Sequence, residues 1–165
     1  MQKLTFFLLF VSVFIGCKDK TSAEAKLQDT GEVMELSKLP KLVSVNSEAR
    51  AILSDWPEYK AFELSFKGIY DAEFREDLVL VIEDLVEKQK TWEASDYPAK
   101  FDVPQVKGRQ KVLKTFILKT KGNLEYRQDP RASLKEAITA FNALLEQFNI
   151  TLNYVLPEEL LSDKN

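Results

Sequence analysis

Leu134, Ile138, Phe141, Leu145, Phe148 and Leu152 follow one another at alternating intervals of four and three residues. Only an α-helix brings residues with that spacing onto one face. Just before them, Asp129 offers a carboxylate to first-turn amides, and Pro130 sits in the first turn, where its missing N–H costs nothing. The same intervals let neighbouring helices interlock side by side. Beyond residue 45 the chain has only three glycines, Gly68, Gly108 and Gly122, and its prolines fall where helices would begin. Both features favour an all-α domain.

Three earlier helices are predicted on the same grounds. The first runs from about Asn46 to Tyr70, with Ile52, Trp56, Tyr59, Phe62, Phe66 and Ile69 on one face. It bends or restarts at Trp56, with Asp55 as cap, Pro57 in the first turn and Glu58 at the capping-box position. The second, about Ala72 to Ala94, turns Phe74, Leu78, Val81, Leu85 and Trp92 inward, and Lys88 fills the remaining seam position. Leu78 to Ile82 is apolar all round, but no turn signal bounds it, so helix is expected there rather than strand. Asp96 to Pro104 reads as a loop whose Tyr97 and Phe101 cover one end. The third helix, about Pro104 to Tyr126, places Val106, Leu113, Phe116, Ile117, Thr120 and Leu124 inward, together with Arg109. Helices of about 23 residues span roughly 35 Å, and short loops make neighbours antiparallel. The expected architecture is all-α, an up-down antiparallel four-helix bundle over residues 46–156 with a polar tail at 157–165.

The N-terminus supplies an address. Lys3 precedes an apolar run from Leu4 to Ile15, which is the pattern of a signal peptide. It stops before Lys18, Asp19 and Lys20, short of the roughly 20 apolar residues a permanent membrane span needs. Phe14-Ile15-Gly16-Cys17 resembles the lipobox of bacterial lipoproteins, which implies cleavage after residue 16 and acylation of Cys17. Cys17 is the only cysteine, so no internal disulfide can form in an oxidising compartment. Residues 17–45 are mostly polar and read as a lipidated tether, dispensable for folding, whose Met34, Leu36, Leu39, Leu42, Val43 and Val45 dock its last part onto the domain. Signal, tether and helical domain together resemble the short lipoproteins of Bacteroidota. The resemblance implies a palmitate-bearing envelope protein; with Lys18 after the cysteine, the outer membrane is the expected site, facing either way.

Composition excludes several functions. Basic and acidic side chains number 23 and 26 and are interspersed, so no basic face tracks phosphates and no nucleic-acid partner is expected. With no histidine, the commonest general base and the usual zinc constellations are missing. Glu83, Asp84 and Glu87 share a helix without the Glu-x-x-His pairs of di-iron bundles, so a solvated acidic face is expected and no metal or cofactor. No glycine-rich loop cradles a nucleotide. An enzyme is not expected, although two facing carboxylates would suffice for a hydrolase.

Two residue groups stand out. Arg109 in an apolar seam demands a carboxylate, with Asp77, Glu83 or Asp84 as candidates, and reads as a structural ion pair, as an arginine snorkelling at the bundle end, or as a contact to a ligand carboxylate. Trp56, Trp92, Tyr59 and Tyr97 read as core, or as the lining of a pocket or a partner surface. The expected function is that of an anchored helical interaction or accessory module with an envelope protein partner, an immunity-type inhibitor among its forms. The alternative is a small-molecule binding or sensing lipoprotein with a pocket between helices, closed by the loop from Tyr97 to Phe101.

Overall fold

The computed structural model describes residues 33, 34, 36 and 38–153. The predicted signal segment, Cys17 with the first part of the predicted tether, and the predicted tail at 157–165 lie outside the described residues. Those described fold into five α-helices: α1 Ser47–Ser54, α2 Pro57–Lys67, α3 Arg75–Glu93, α4 Pro104–Glu125 and α5 Arg131–Asn153, with a 3-10 turn at Gly68–Asp71. The one β feature among them is an isolated bridge between Val33 and Phe74. The most extensive packing joins α4 to α5, followed by α2 to α3 and α3 to α4, with the short α1 against α2 and α5. No described helix is long and apolar enough to cross a membrane.

The helix ends follow local chemistry. Asn46 caps α1 by accepting a hydrogen bond from the Ala49 amide at 2.8 Å. The break at Trp56 is real, but Asp55 closes α1 rather than capping α2, whose start has Pro57 in its first turn and no side-chain cap. Asp77 reaches back to accept from the Phe74 amide at 2.9 Å, so α3 begins three residues later than its apolar pattern suggests. At the far end of α4, the Arg75 guanidinium donates to the carbonyl oxygens of Gln128 at 2.9 Å and Leu124 at 3.4 Å. This cation meets the negative pole of the α4 dipole. The carboxylate of Asp129 accepts from the Arg131 amide at 3.0 Å and so caps the start of α5.

One apolar core holds the helices together. Its centre is a chain of rings: Phe66 against Phe141 at 4.4 Å between centroids, Phe62 against Trp92 at 4.9 Å and Phe101 against Phe148 at 4.6 Å. Such pairs add about 0.5–1.5 kcal/mol each to the burial of the rings themselves. Leu134, Ile138, Phe141, Leu145 and Phe148 are all buried, as their spacing requires. On α3 and α4 the expected seam is largely the buried one, with Ile82 and Gln89 in place of Val81 and Lys88 and with Gln110 in place of Arg109. Leu78, Ile82, Leu85, Gln89 and Trp92 face inward on α3, and Val106, Gln110, Leu113, Ile117, Thr120 and Leu124 on α4. Arg109 is exposed and Lys88 half-exposed. The physical reason is that each seam keeps its alternation of four and three by accepting a neutral amide, Gln89 or Gln110, which costs less to bury than a charge.

The last part of the predicted tether is held against the helices. Leu39, Leu42, Val43 and Val45 pack on the core, and Met34 is buried. Two α5 asparagines grip this segment as peptide mimics. Asn142 accepts from the Val43 amide at 3.0 Å and donates to the Lys41 carbonyl at 2.9 Å. Asn149 accepts from the Asn46 amide at 2.8 Å and donates to the Ser44 carbonyl at 3.4 Å. Seven helical residues advance about 10.5 Å and three extended residues about 10 Å, so both grips fit one register. Asn142→Ala is expected to cost about 1–2 kcal/mol and to speed proteolysis between residues 38 and 46. Unchanged cleavage there would show that apolar contacts alone hold the segment.

Candidate functional site beside Tyr97

The loop between α3 and α4 is pinned at its start. The Ser95 hydroxyl donates to the Trp92 carbonyl at 2.8 Å and accepts from the Trp56 indole N–H at 2.9 Å. This fixes Tyr97, whose ring meets Trp56 edge-on at 4.8 Å and whose hydroxyl donates to Gln110 Oε1. Phe101 is fully buried against Phe148, so the loop does cover the core as expected. Tyr97 itself is only half-buried and stands between two recesses of opposite charge.

On one side lies a pocket of about 270 Å³ lined by Glu93, Ser95, Tyr97, Lys107, Gln110 and Lys111. Its floor is Gln110, 2% exposed, whose Nε2 has no hydrogen-bond partner. Lys107 Nζ lies 4.9 Å from the centre of the Tyr97 ring, a cation–π distance, and pairs with Asp102. Glu93 is paired with Lys114 at 2.5 Å. Burial raises the Tyr97 pKa; the Gln110 contact opposes the shift, and the charges of Glu93 and Asp102 add to it. The hydroxyl therefore stays protonated and a donor at neutral pH.

On the other side, an open groove of about 540 Å³ is lined by Ile52, Asp55, Trp56, Pro57, Glu58, Asp96, Tyr97 and Pro98. Its three carboxylates face no lysine or arginine in that lining.

The residues singled out in the sequence separate in space. Trp56, Tyr59 and Trp92 belong to the core, with Trp56 stacked near Tyr59 at 6.1 Å and Tyr59 edge-on to Trp92 at 5.3 Å. Burial drives the Tyr59 pKa strongly upward, and the charge of Glu63 adds to it. Arg109 makes no ion pair among the described residues, and Asp77 is engaged at the α3 cap. It stands at the rim of a third recess, an open groove of about 550 Å³ between α4 and α5, with Val112, Phe116, Lys135, Thr139 and Ala143. Glu83, Asp84 and Glu87 are exposed, the latter two paired with Lys88 and Lys90. No described group of three or more His, Cys, Asp or Glu side chains is arranged to hold a metal.

Sequence reasoning passed over Gln110 and Lys111. The signal for Gln110 was present, since the intervals on α4 land on it once a polar member is admitted to the seam. Comparison with known protein families, with characterised proteins and with solved structures finds no match to this chain.

Proposed function

We propose that this chain is a lipoprotein of the bacterial envelope, anchored through Cys17 at the outer membrane, whose helical domain serves as an interaction module rather than an enzyme. In this reading α2 to α5 form an up-down antiparallel four-helix bundle. Its support is that Arg75 reaches the Leu124 carbonyl while Glu93 pairs with Lys114, and Lys119 pairs with Glu136 while Asn123 bonds Ser133, so residue numbers rise along one helix as they fall along the next for α3 with α4 and for α4 with α5.

The observation that carries the interaction reading is the groove between α4 and α5. Val112 and Phe116 face small residues on α5, Ala132, Ala140 and Ala143; Glu136 in the same lining is neutralised by Lys119, and the unpaired Arg109 and Lys135 stand on its rim. Small side chains let a backbone approach, and the two cations select an acidic flank. The partner of matching chemistry is an amphipathic helix of an envelope protein with carboxylates beside its apolar stripe. A lipid anchor raises the effective concentration of such a partner on the same membrane.

A photocrosslinking side chain at Thr139, in cells producing the protein, is expected to give one discrete adduct. Arg109→Glu should reduce it strongly while changing domain stability by less than about 0.5 kcal/mol, because the residue is exposed. Cys17→Ala should release the protein from the membrane and lower the adduct with it. Equal adducts from Thr139 and from an outward site such as Glu83, insensitive to Arg109→Glu, would refute the groove. Unchanged membrane retention in Cys17→Ala would refute the anchor.

The second reading, a small-molecule binding lipoprotein, is favoured by the unpartnered Gln110 amide in the pocket beneath Tyr97.

A further inference from the structure

We infer that the pocket between Tyr97, Gln110 and Lys111 is a binding site for a small organic monoanion bearing a carboxylate. The inference rests on the second reading above and is independent of the anchored-partner reading, so its failure leaves the crosslinking from Thr139 untouched.

Donor and acceptor bookkeeping selects the ligand. The Ser95 hydroxyl spends its hydrogen on the Trp92 carbonyl, and the Tyr97 hydroxyl spends its own on Gln110 Oε1, so both present only lone pairs to a ligand. The donors left are the Gln110 Nε2 hydrogens and the ammonium groups of Lys107 and Lys111. Charge is nearly balanced already: Lys107 pairs with Asp102, and Glu93 with Lys114. Lys111 has no acidic partner among the described residues, which leaves the lining with one uncompensated positive charge. One charge complements a carboxylate and falls short of a phosphate dianion. A carboxylate also offers two oxygens, one for the lysine and one for the amide, and relieves the cost of a buried amide hydrogen without a partner.

Gln110 Nε2 is covered in the unliganded protein, so a ligand meets it only when lining side chains shift, and the Tyr97 ring lines the same pocket. That ring lies against Trp56, which in turn meets Trp92 at 5.7 Å, so occupancy is reported by tryptophan fluorescence.

The full-length chain, titrated with sodium acetate, sodium butyrate and inorganic phosphate at constant ionic strength, should show a saturable emission change with a carboxylate and a weaker one with phosphate. Lys111→Ala should weaken carboxylate binding about tenfold, the loss of one charge-assisted hydrogen bond. Lys121→Ala, which removes the same charge about 15 Å further along α4, should leave it unchanged. Gln110→Leu should abolish saturation; if that variant does not fold, the exposed Lys111 still decides. Absence of any saturable change, equal weakening by Lys111→Ala and Lys121→Ala, or tighter binding of phosphate than of either carboxylate would each overturn the assignment.

Discussion

Phe141→Ala is expected to lower the unfolding free energy by about 3–5 kcal/mol. Phe141 is fully buried near the middle of α5 and ties that helix to α2 through Phe66 at 4.4 Å and Phe62 at 5.6 Å. Its neighbours on the same helix, Ala137 and Ala140, have no atoms to spare for the space left behind. The loss therefore combines forfeited burial with a cavity that cannot collapse. Ile150→Ala on the same helix should change stability by less than about 0.5 kcal/mol, since Ile150 is 52% exposed. Urea denaturation of the two variants checks both, and equal m-values would show that the midpoint shift is a change in stability. A loss under about 1 kcal/mol at Phe141 would mean that the ring chain does not carry the core.

Gln89→Leu is expected to act in the opposite direction, raising stability by about 1–3 kcal/mol. Gln89 is 1% exposed, and both its amide oxygen and its amide nitrogen lack a hydrogen-bond partner. The folded state carries their desolvation without return, whereas leucine of similar size removes that cost and completes the seam between Leu85 and Trp92. Gln110→Leu should gain much less, because Gln110 Oε1 accepts from the Tyr97 hydroxyl and the substitution strands that group. Thermal and chemical denaturation of the pair measure the contrast. Destabilisation by Gln89→Leu would show that the amide holds an internal water rather than standing unpaired.

The two glutamines show why part of the packing was legible in advance and part was not. On α5 every seam position is apolar, so hydrophobicity and periodicity give one answer and Leu134 to Phe148 fall inward as read. On α3 and α4 the periodic positions include Gln89 and Gln110, which hydrophobicity passes over, while apolar Val81 and Phe116 lie one step aside and are only partly covered. A reading by hydrophobicity follows the apolar residues and so misplaces those positions by one residue, although Leu78, Leu85, Trp92, Val106, Leu113, Ile117, Thr120 and Leu124 fall inward as read. Those one-residue shifts put Arg109 and Lys88 in the seam, and the exposure of Arg109 withdraws the ion pair for which it was singled out. The misread was confined to single positions, since the helices themselves lie where expected to within a few residues.

The docked segment has a different lesson. Its apolar residues pointed to contact with the domain, but nothing local in Lys41 to Asn46 names Asn142 and Asn149, about a hundred positions away. Their grip depends on an extended chain and a helix advancing at matching rates, a coincidence that exists only once both are side by side.

What the sequence determined by itself is what short-range physics controls: which stretches are helical, where proline, asparagine and aspartate begin them, and which face of α5 is buried. Those properties depend on residues within one or two turns of each other. The tertiary structure alone decided which residues meet across helices: the pairing of Tyr97 with Gln110, the charge balance that singles out Lys111, the groove behind Arg109 and the grip of Asn142. Each depends on the rotation of one helix against another, and a rotation of one residue exchanges a buried amide for an exposed guanidinium.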